Sequence, residues 1–430
     1  MRRYESYKDS GVEWLGEVPS HWGLTIGMNV FRENKRDNKG MKEKTVLSLS
    51  YGQIIIKPEE KLVGLVPESF ETYQIVEPND IIIRCTDLQN DQTSLRTGLA
   101  KDKGIITSAY LNLKVINNHS AKFLHYYLHT LDITKVLYKF GSGLRQNLSF
   151  LDFKRLPIID IPLSEQQKIA QFLDDKTAKI DQAVDLAEKQ IALLKEHKQI
   201  LIQNAVTRGL TPDVPLKDSG VEWIGQVPEH WEVKKLKYLA KLSPSKSEIT
   251  CNHEESCSFI PMEKLKLNTL VLDEIKQIKN VYSAYTYFRD EDLLIAKVTP
   301  CFENKNFAIA KNLVNSIGFG SSEIYVLRTY NNLLNKFLFY RLQEQNFMEI
   351  AISKMSGTGG LKRVPSEFIN NFQLALPPFC EQQKIADYLD KQTAKIDQAI
   401  ALKTAHIEKL KEYKSVLIND AVTGKVRVSV

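Results

Sequence analysis

Between residues 165 and 207 the apolar side chains recur at steps of three, four and seven: Leu173, Ile180, Val184, Ala187, Ile191, Leu194, Leu201 and Ala205. The same register returns between residues 381 and 424, in Leu389, Ile396, Ile400, Ile407, Leu410, Leu417 and Ala421. No glycine or proline interrupts either run before Gly209 and Gly424. A seam of period 3.5 predicts a long helix packed against a partner helix. About 40 helical residues rising ~1.5 Å each make a rod of about 60 Å, too long to bury its stripe against itself. The economical partner is the other copy. Lys198 and Lys414 break both seams at the same step, so even the defect is repeated.

Ahead of each predicted helix the period changes from helical to strand-like. "QIVEPNDIIIRCTDL" (74–88) and "TYFRDEDLLIAKVTP" (286–300) both show turn residues leading into a short β-type run. "GLAKDKGIITSAYLNLKVI" (98–116) and "AIAKNLVNSIGFGSSEIYVLRT" (308–329) then read as strand, loop, strand. Amphipathic helices follow in "AKFLHYYLHTL" (121–131) and "NKFLFYRLQEQ" (335–345).

Two direct repeats tie these patterns together. "KDSGVEWLGEVPSHW" (8–22) returns as "KDSGVEWIGQVPEHW" (217–231), and "EQQKIAQFLDDKTAKIDQAV" (165–184) as "EQQKIADYLDKQTAKIDQAI" (381–400). The period is far longer than the ~20–50 residues of solenoid repeats, so the unit repeated is a domain with its helix. The expected layout is a globular domain over 1–164, a helix over 165–207, a second globular domain over 208–380 and a helix over 381–424. The fold class is α+β: two pseudo-repeat globular α/β domains joined by two long helices that pack together.

Composition narrows the partners only a little. A net charge of +6 on 430 residues permits nucleic-acid binding without requiring it. The bases are, however, placed alike in both halves. "RENKRDNKGMKEK" (32–44) carries six bases against three acids, and "KKLKYLAKLSPSK" (234–246) five lysines and no acid. Each follows one copy of the opening repeat, which favours phosphate contact over solvated surface lysines. Five cysteines form no paired framework and suit a reducing compartment. With no signal-like apolar run after the first arginines and no stretch long enough to span a bilayer, a cytoplasmic chain with no membrane partner is expected.

Catalytic patterns fail on their details. "GTGGLKR" (357–363) lacks the spacer and the Gly-Lys-Ser/Thr of a phosphate-binding loop. "ALPPF" (375–379) has Leu376 where an amino-methyltransferase needs a side chain that accepts a hydrogen bond from the target amine. His125 and His129 are spaced as in zinc proteases, but Tyr126 stands where glutamate is required, so both read as buried-edge histidines. "CNHEESC" offers Cys251, His253 and Cys257 without the further ligand a zinc site needs. "DEDLLIAK" lacks the Glu-x-Lys spacing of a nuclease. No catalytic or metal residue is expected.

Two glycine-flanked basic loops remain. "GSGLRQNL" (141–148) and "GTGGLKRV" (357–364) lie in matching places ahead of the long helices. Glycine lets a backbone approach a partner closely. Arg145, Gln146 and Asn147, like Lys362 and Arg363, are of the types that grip phosphates or read base edges.

The two duplicated blocks, with "AKVTPCFENKNFAIAKNLVNSIGFGSSEIYVLR" (296–328), resemble the specificity subunit of type I restriction-modification systems over essentially the whole chain. The resemblance implies two target-recognition domains, each reading one half of an interrupted DNA site. It implies that the helices pack as an antiparallel coiled coil, acting as spacer and docking surface for two modification (methyltransferase) subunits. Restriction (translocase-nuclease) subunits would join that complex, and S-adenosylmethionine, ATP and magnesium would sit on the partners, not on this non-catalytic chain. The DNA contacts it implies are Arg84, Thr86, Gln89, Asn90, Ser108, Tyr110, Arg145, Gln146 and Asn147 in the first domain. In the second they are Lys297, Thr299, Glu303, Asn304, Lys305, Ser321, Ser322, Lys362 and Arg363. Because the two domains differ in sequence, the half-sites should differ too. A coiled-coil scaffold for proteins and a self-sufficient DNA-processing enzyme are the alternative readings.

Overall fold

The computed structural model describes residues 2–58, 60, 69–91, 93, 95–140, 146–358 and 360–428. Contacts divide the chain into two units, Met1–Ala187 with Thr404–Val430, and Glu188–Lys403. Each unit therefore owns one globular part and a half of both long helices.

In the second unit, one antiparallel sheet runs in the order Ala240–Leu242, Ile324–Thr329, Leu293–Ala296, Phe307–Ile309. A second runs Ile275–Gln277, Ser256–Ile260, Ile317–Gly320, Thr286–Arg289, with its middle pair parallel. Phe288, Leu294, Ala308, Ile324 and Val326 form one of this unit's buried clusters. At Gly318 a β-carbon would fall 2.1 Å from the Phe288 ring, so only glycine admits that ring. The first unit repeats the plan. Its main sheet is Phe31–Glu33, Leu111–Val115, Ile81–Ile83, Thr97–Leu99. Its second is split into the pair Gln74–Val76 with Gly104–Ile106 and the hairpin Leu47–Ser50 with Gln53–Ile56, linked by a parallel bridge from Val46 to Ile105.

The stretches 98–116 and 308–329 thus hold three strands each, not two. The middle strand of each pairs in the other sheet, against the first strand of the 74–88 or 286–300 stretch. Its residues, Gly104–Ile106 and Ile317–Gly320, are almost wholly buried and show no alternation for a period-2 reading to detect. The amphipathic helix of the first unit spans Ala121–Ile133; that of the second is broken into Asn335–Arg341 and Gln345–Ser353.

The long helices run Leu163–Arg208 and Phe379–Val422. In the first unit the Lys414 ammonium donates to the Asp181 carboxylate at 2.7 Å. In the second, Lys198 donates to Asp397 at 2.7 Å and Lys403 to Gln190 at 2.6 Å. In the second unit partner numbers fall as numbers rise, so its two helical segments run antiparallel. Leu173, Ile180, Leu389, Ile396, Ile407 and Leu417 are buried on the seam, and Val184, Ile191, Leu194, Leu201, Ile400 and Leu410 are half-buried. Leu186, Leu193 and Leu402, outside the seam, are 58%, 63% and 66% exposed. The repeated lysines are not mere flaws: each meets the aspartate of the other copy of "TAKID". A polar group at a seam position fixes register at some cost in stability. Among the described residues no helix is long and apolar enough to cross a membrane.

Candidate nucleic-acid interface

The repeated motifs build the frame on which the candidate residues stand. In the first unit Trp22 and His21 meet the Glu165 carboxylate at 3.1 Å each. In the second, His230 and Trp231 meet Glu381 at 2.8 and 3.3 Å. Tyr126 donates to Asp174 at 2.8 Å and Tyr340 to Asp390 at 2.7 Å. The Gln166 and Gln382 amides donate to the carbonyls just ahead of their helices. Residues kept through the duplication therefore lock each globular part to its helix pair. The residues that diverged lie on the sheets and loops beyond.

The described ends of the two glycine-flanked loops are pinned to matching strand ends. Leu148 donates its backbone N–H to the Cys85 carbonyl (2.9 Å), and Val364 donates to Lys297 (2.9 Å). Asp87 donates to the Asn147 side chain (2.9 Å), and Thr299 to the Lys362 carbonyl (3.0 Å). The segments 84–90 and 297–305 thus lie beside 146–148 and 360–364. Two stretches distant in sequence meet in each unit.

In the first unit Thr86, Gln89, Asn90, Ser108 and Asn147 are exposed, while Arg84, Tyr110 and Gln146 are partly covered. Asn90 is held by Asp87 (2.8 Å) and Arg84 pairs with Asp91 (3.1 Å). Ser108 and Tyr110 lie on the turn fixed by the Gln74 amide, at the far end of strand Gly104–Ile106. Leu111, which follows that turn, pairs with Ile83 just ahead of the 84–90 group. Arg145 lies outside the described residues.

In the second unit Glu303, Asn304, Ser322, Lys362 and Arg363 are exposed, and Lys297, Thr299, Lys305 and Ser321 are partly covered. The Arg363 guanidinium makes a two-pronged contact with Glu323 at 2.8 and 2.9 Å, which raises the pKa of the one group and lowers that of the other. Lys297 lies 5.2 Å from the Tyr325 ring centre. The Thr299 hydroxyl donates to the Gly360 carbonyl. Lys305 turns inward to Gln199 and Gln343. Phe302 and Phe319 are core residues with no exposed surface.

Arg96 shapes the first unit's loop and could not be read from the sequence. Its side chain is fully buried, yet it donates to the carbonyls of Arg84, Thr86, Asp87 and Asp91. Its own backbone N–H is taken by Asp132 (2.6 Å), whose pKa burial raises. An isolated arginine in a polar stretch carries no sequence signal for such a role. The matching place in the second unit holds Asn306, since the N–H groups of Arg84 and Ala296 donate to Arg96 and Asn306 respectively.

The two basic runs are less free than their composition suggests. Arg36 binds the buried Asp80, Lys35 pairs with Glu33 and Lys39 with Asp37. Lys234 and Lys241 pair with Glu232 and Glu248, and Lys246 donates to the Tyr282 carbonyl. Among the described residues no three His, Cys, Asp or Glu side chains are grouped to hold a metal ion.

The sequence matches the profile described as the type I restriction modification DNA specificity domain twice, over residues 30–195 and 228–412. Among curated proteins it is 38% identical over 163 residues to the Type I restriction enzyme EcoAI specificity subunit of Escherichia coli, covering 37% of this chain and 27% of that one. The EcoEI specificity subunit of the same organism is 34% identical over 176 residues, 40% of this chain and 29% of its own. The chain thus spans under a third of the length of these two relatives. The putative MjaX specificity subunit of Methanocaldococcus jannaschii is 24% identical over 437 residues and 96% of both chains. Among solved structures, one described as the structural basis of complex assembly and conformational transition of the type I R-M system aligns over 95% of this chain and 99% of its own. Its TM-score is 0.66 at 16% identity. The HsdS subunit from Thermoanaerobacter tengcongensis aligns over 95% and 98%, with TM-score 0.53 at 15% identity. These two likenesses concern the fold.

Proposed function

Because the chain belongs to the family of type I restriction modification DNA specificity proteins, we propose that it is the non-catalytic, sequence-reading subunit of such a complex. Each unit reads one half of an interrupted, non-palindromic site on double-stranded DNA. The observation that carries this reading is the repeated docking of a glycine-flanked loop onto a strand end, at Cys85 and Leu148 in one unit and Lys297 and Val364 in the other. That arrangement gathers polar and basic side chains onto a rigid sheet edge, where they can read base edges while nearby bases hold phosphates. The loops differ in sequence while the frame beneath them is kept, as two half-sites on one scaffold require.

The division proposed is reading domains over 1–164 and 208–380, with helices over 165–207 and 381–424 acting as spacer and docking surface. The exposed pairs Lys179 and Lys395, and Gln182 and Gln398, are identical between the repeats. Identical exposed faces suit two copies of one partner, here two methyltransferase subunits, with restriction subunits joining them in the cytoplasm. Those partners would bind S-adenosylmethionine, ATP and magnesium.

The test is to map modified bases in DNA from cells that express the methyltransferase subunit with and without this chain. The expected result is an interrupted motif with two unlike halves, modified only when the chain is present. A continuous word, or modification without the chain, contradicts the reading.

A further inference from the structure

In the unit holding residues 188–403, the loop after strand Leu293–Ala296 is fastened at both ends. At its start, Thr299 donates from its backbone to Lys362 (3.0 Å) and from its hydroxyl to Gly360 (2.8 Å). At its end, the Lys305 ammonium donates to the side-chain oxygen of Gln199 on the first long helix (2.5 Å) and to the Gln343 carbonyl (2.8 Å). Between them Phe302 is buried against Phe307 and Phe347, while Glu303 and Asn304 stand exposed. One loop therefore joins the glycine-flanked loop to the helix pair.

Lys305 is badly placed for a phosphate, because its ammonium is turned inward onto two protein acceptors. Holding it there is unfavourable: burial, and next the neighbouring Lys198, push its pKa down to about 8. The charged groups on the elements about it are Lys198, Asp397, which accepts from Lys198, and the buried Arg341 and Glu344 flanking Gln343. On its own loop Glu303 is exposed. The matching positions of the first unit offer no such pair. There Leu95 precedes Arg96 as Lys305 precedes Asn306, and Ser415 stands at the repeat position of Gln199.

We propose that Lys305 is a positioning residue that ties the reading loops of this one unit to the long helix, and so sets the fidelity with which one half of the site, and not the other, is read. The inference rests on the DNA-specificity reading above. A neutral amine makes weaker hydrogen bonds than an ammonium, so the tether slackens as pH rises through the amine's titration.

The experiment uses the complex with its methyltransferase subunits and duplexes carrying the mapped site, or one base change in either half. Lys305→Met keeps length but removes the donors. It should lower discrimination in one half about tenfold, the effect of losing one charged hydrogen bond, and leave the other half unchanged. Gln199→Leu should do the same. The wild-type complex should lose discrimination in that half alone between pH 7 and pH 9, with a midpoint near 8. Gln199→Glu, which sets a carboxylate against the amine, should move that midpoint upward, and Lys305→Arg should flatten the profile. A Lys305→Met complex whose two ratios match wild type, or fall equally, overturns the tether. A wild-type complex that discriminates in neither half overturns the DNA-specificity reading instead.

Discussion

His125 and His129 show how far one residue type can be read in isolation. Their spacing hints at a metal, yet both rings are half-buried on helix Ala121–Ile133, with the buried His125 Nε2 and His129 Nδ1 lacking a partner among the described residues. Burial pushes their pKa values down to about 3 and about 4, helped at His125 by its neighbour and at His129 by Lys414. The folded chain thus binds fewer protons than the unfolded one below the ordinary histidine pKa of ~6.5, and stability falls as pH drops through that value. Between pH 7 and pH 5 the loss should be on the order of 2–4 kcal/mol for the pair. His125→Phe with His129→Gln, copying Phe339 and Gln343 at the matching places of the other unit, should abolish most of that dependence in calorimetric melts. An unchanged acid limb would contradict it. At the candidate interface, Arg363 is paired through its backbone with Ser356 at the base of the glycine-flanked loop, and its half-exposed guanidinium is held by Glu323. Arg363→Ala should cost about 1–3 kcal/mol of discrimination at a single base position, visible as one relaxed letter in the modified motif.

At the scale of elements, the two helix ends offer a comparison the duplication itself supplies. Gly209 and Gly424 each follow a long helix with φ of +78° and +77°, the left-handed stop that glycine tolerates best. An added β-carbon at Gly424 would lie 2.4 Å from Pro19 and 2.8 Å from the Trp22 ring, both fixed. At Gly209 the nearest atom, at 2.9 Å, is the Glu381 carboxylate oxygen at the end of a flexible side chain. Both alanine variants should destabilise by about 1 kcal/mol through backbone strain, and Gly424→Ala by clearly more, as unfolding in denaturant would measure. What was legible here follows from periodicity. The seams, the amphipathic helices and the matching loops all repeat, and repetition makes weak patterns strong. The middle strands of the second sheets were missed because buried strands do not alternate. Arg96 and Lys305 were missed as structural residues because a buried base looks like any surface base until its acceptors are seen. A further buried column, Ile202, Val206, Ile418 and Val422, escaped because it lies one step off the seam, where the helices join the cores of the globular parts.

At the scale of the molecule, the two contact units are alike in frame and unlike in surface. The clamps at Glu165 and Glu381, and the lysine-aspartate pairs on the helices, are the same chemistry made twice. The loops they carry are not. Reading should therefore be modular, and the most direct test exchanges residues 24–160 for the corresponding domain of another family member. The motif of modified bases is then mapped in cells expressing the chimaera with its methyltransferase subunit. One half of the motif should take the donor's sequence while the other half stays as in wild type. If both halves change together, or if the motif ignores the exchange, two independent readers on one scaffold is the wrong description.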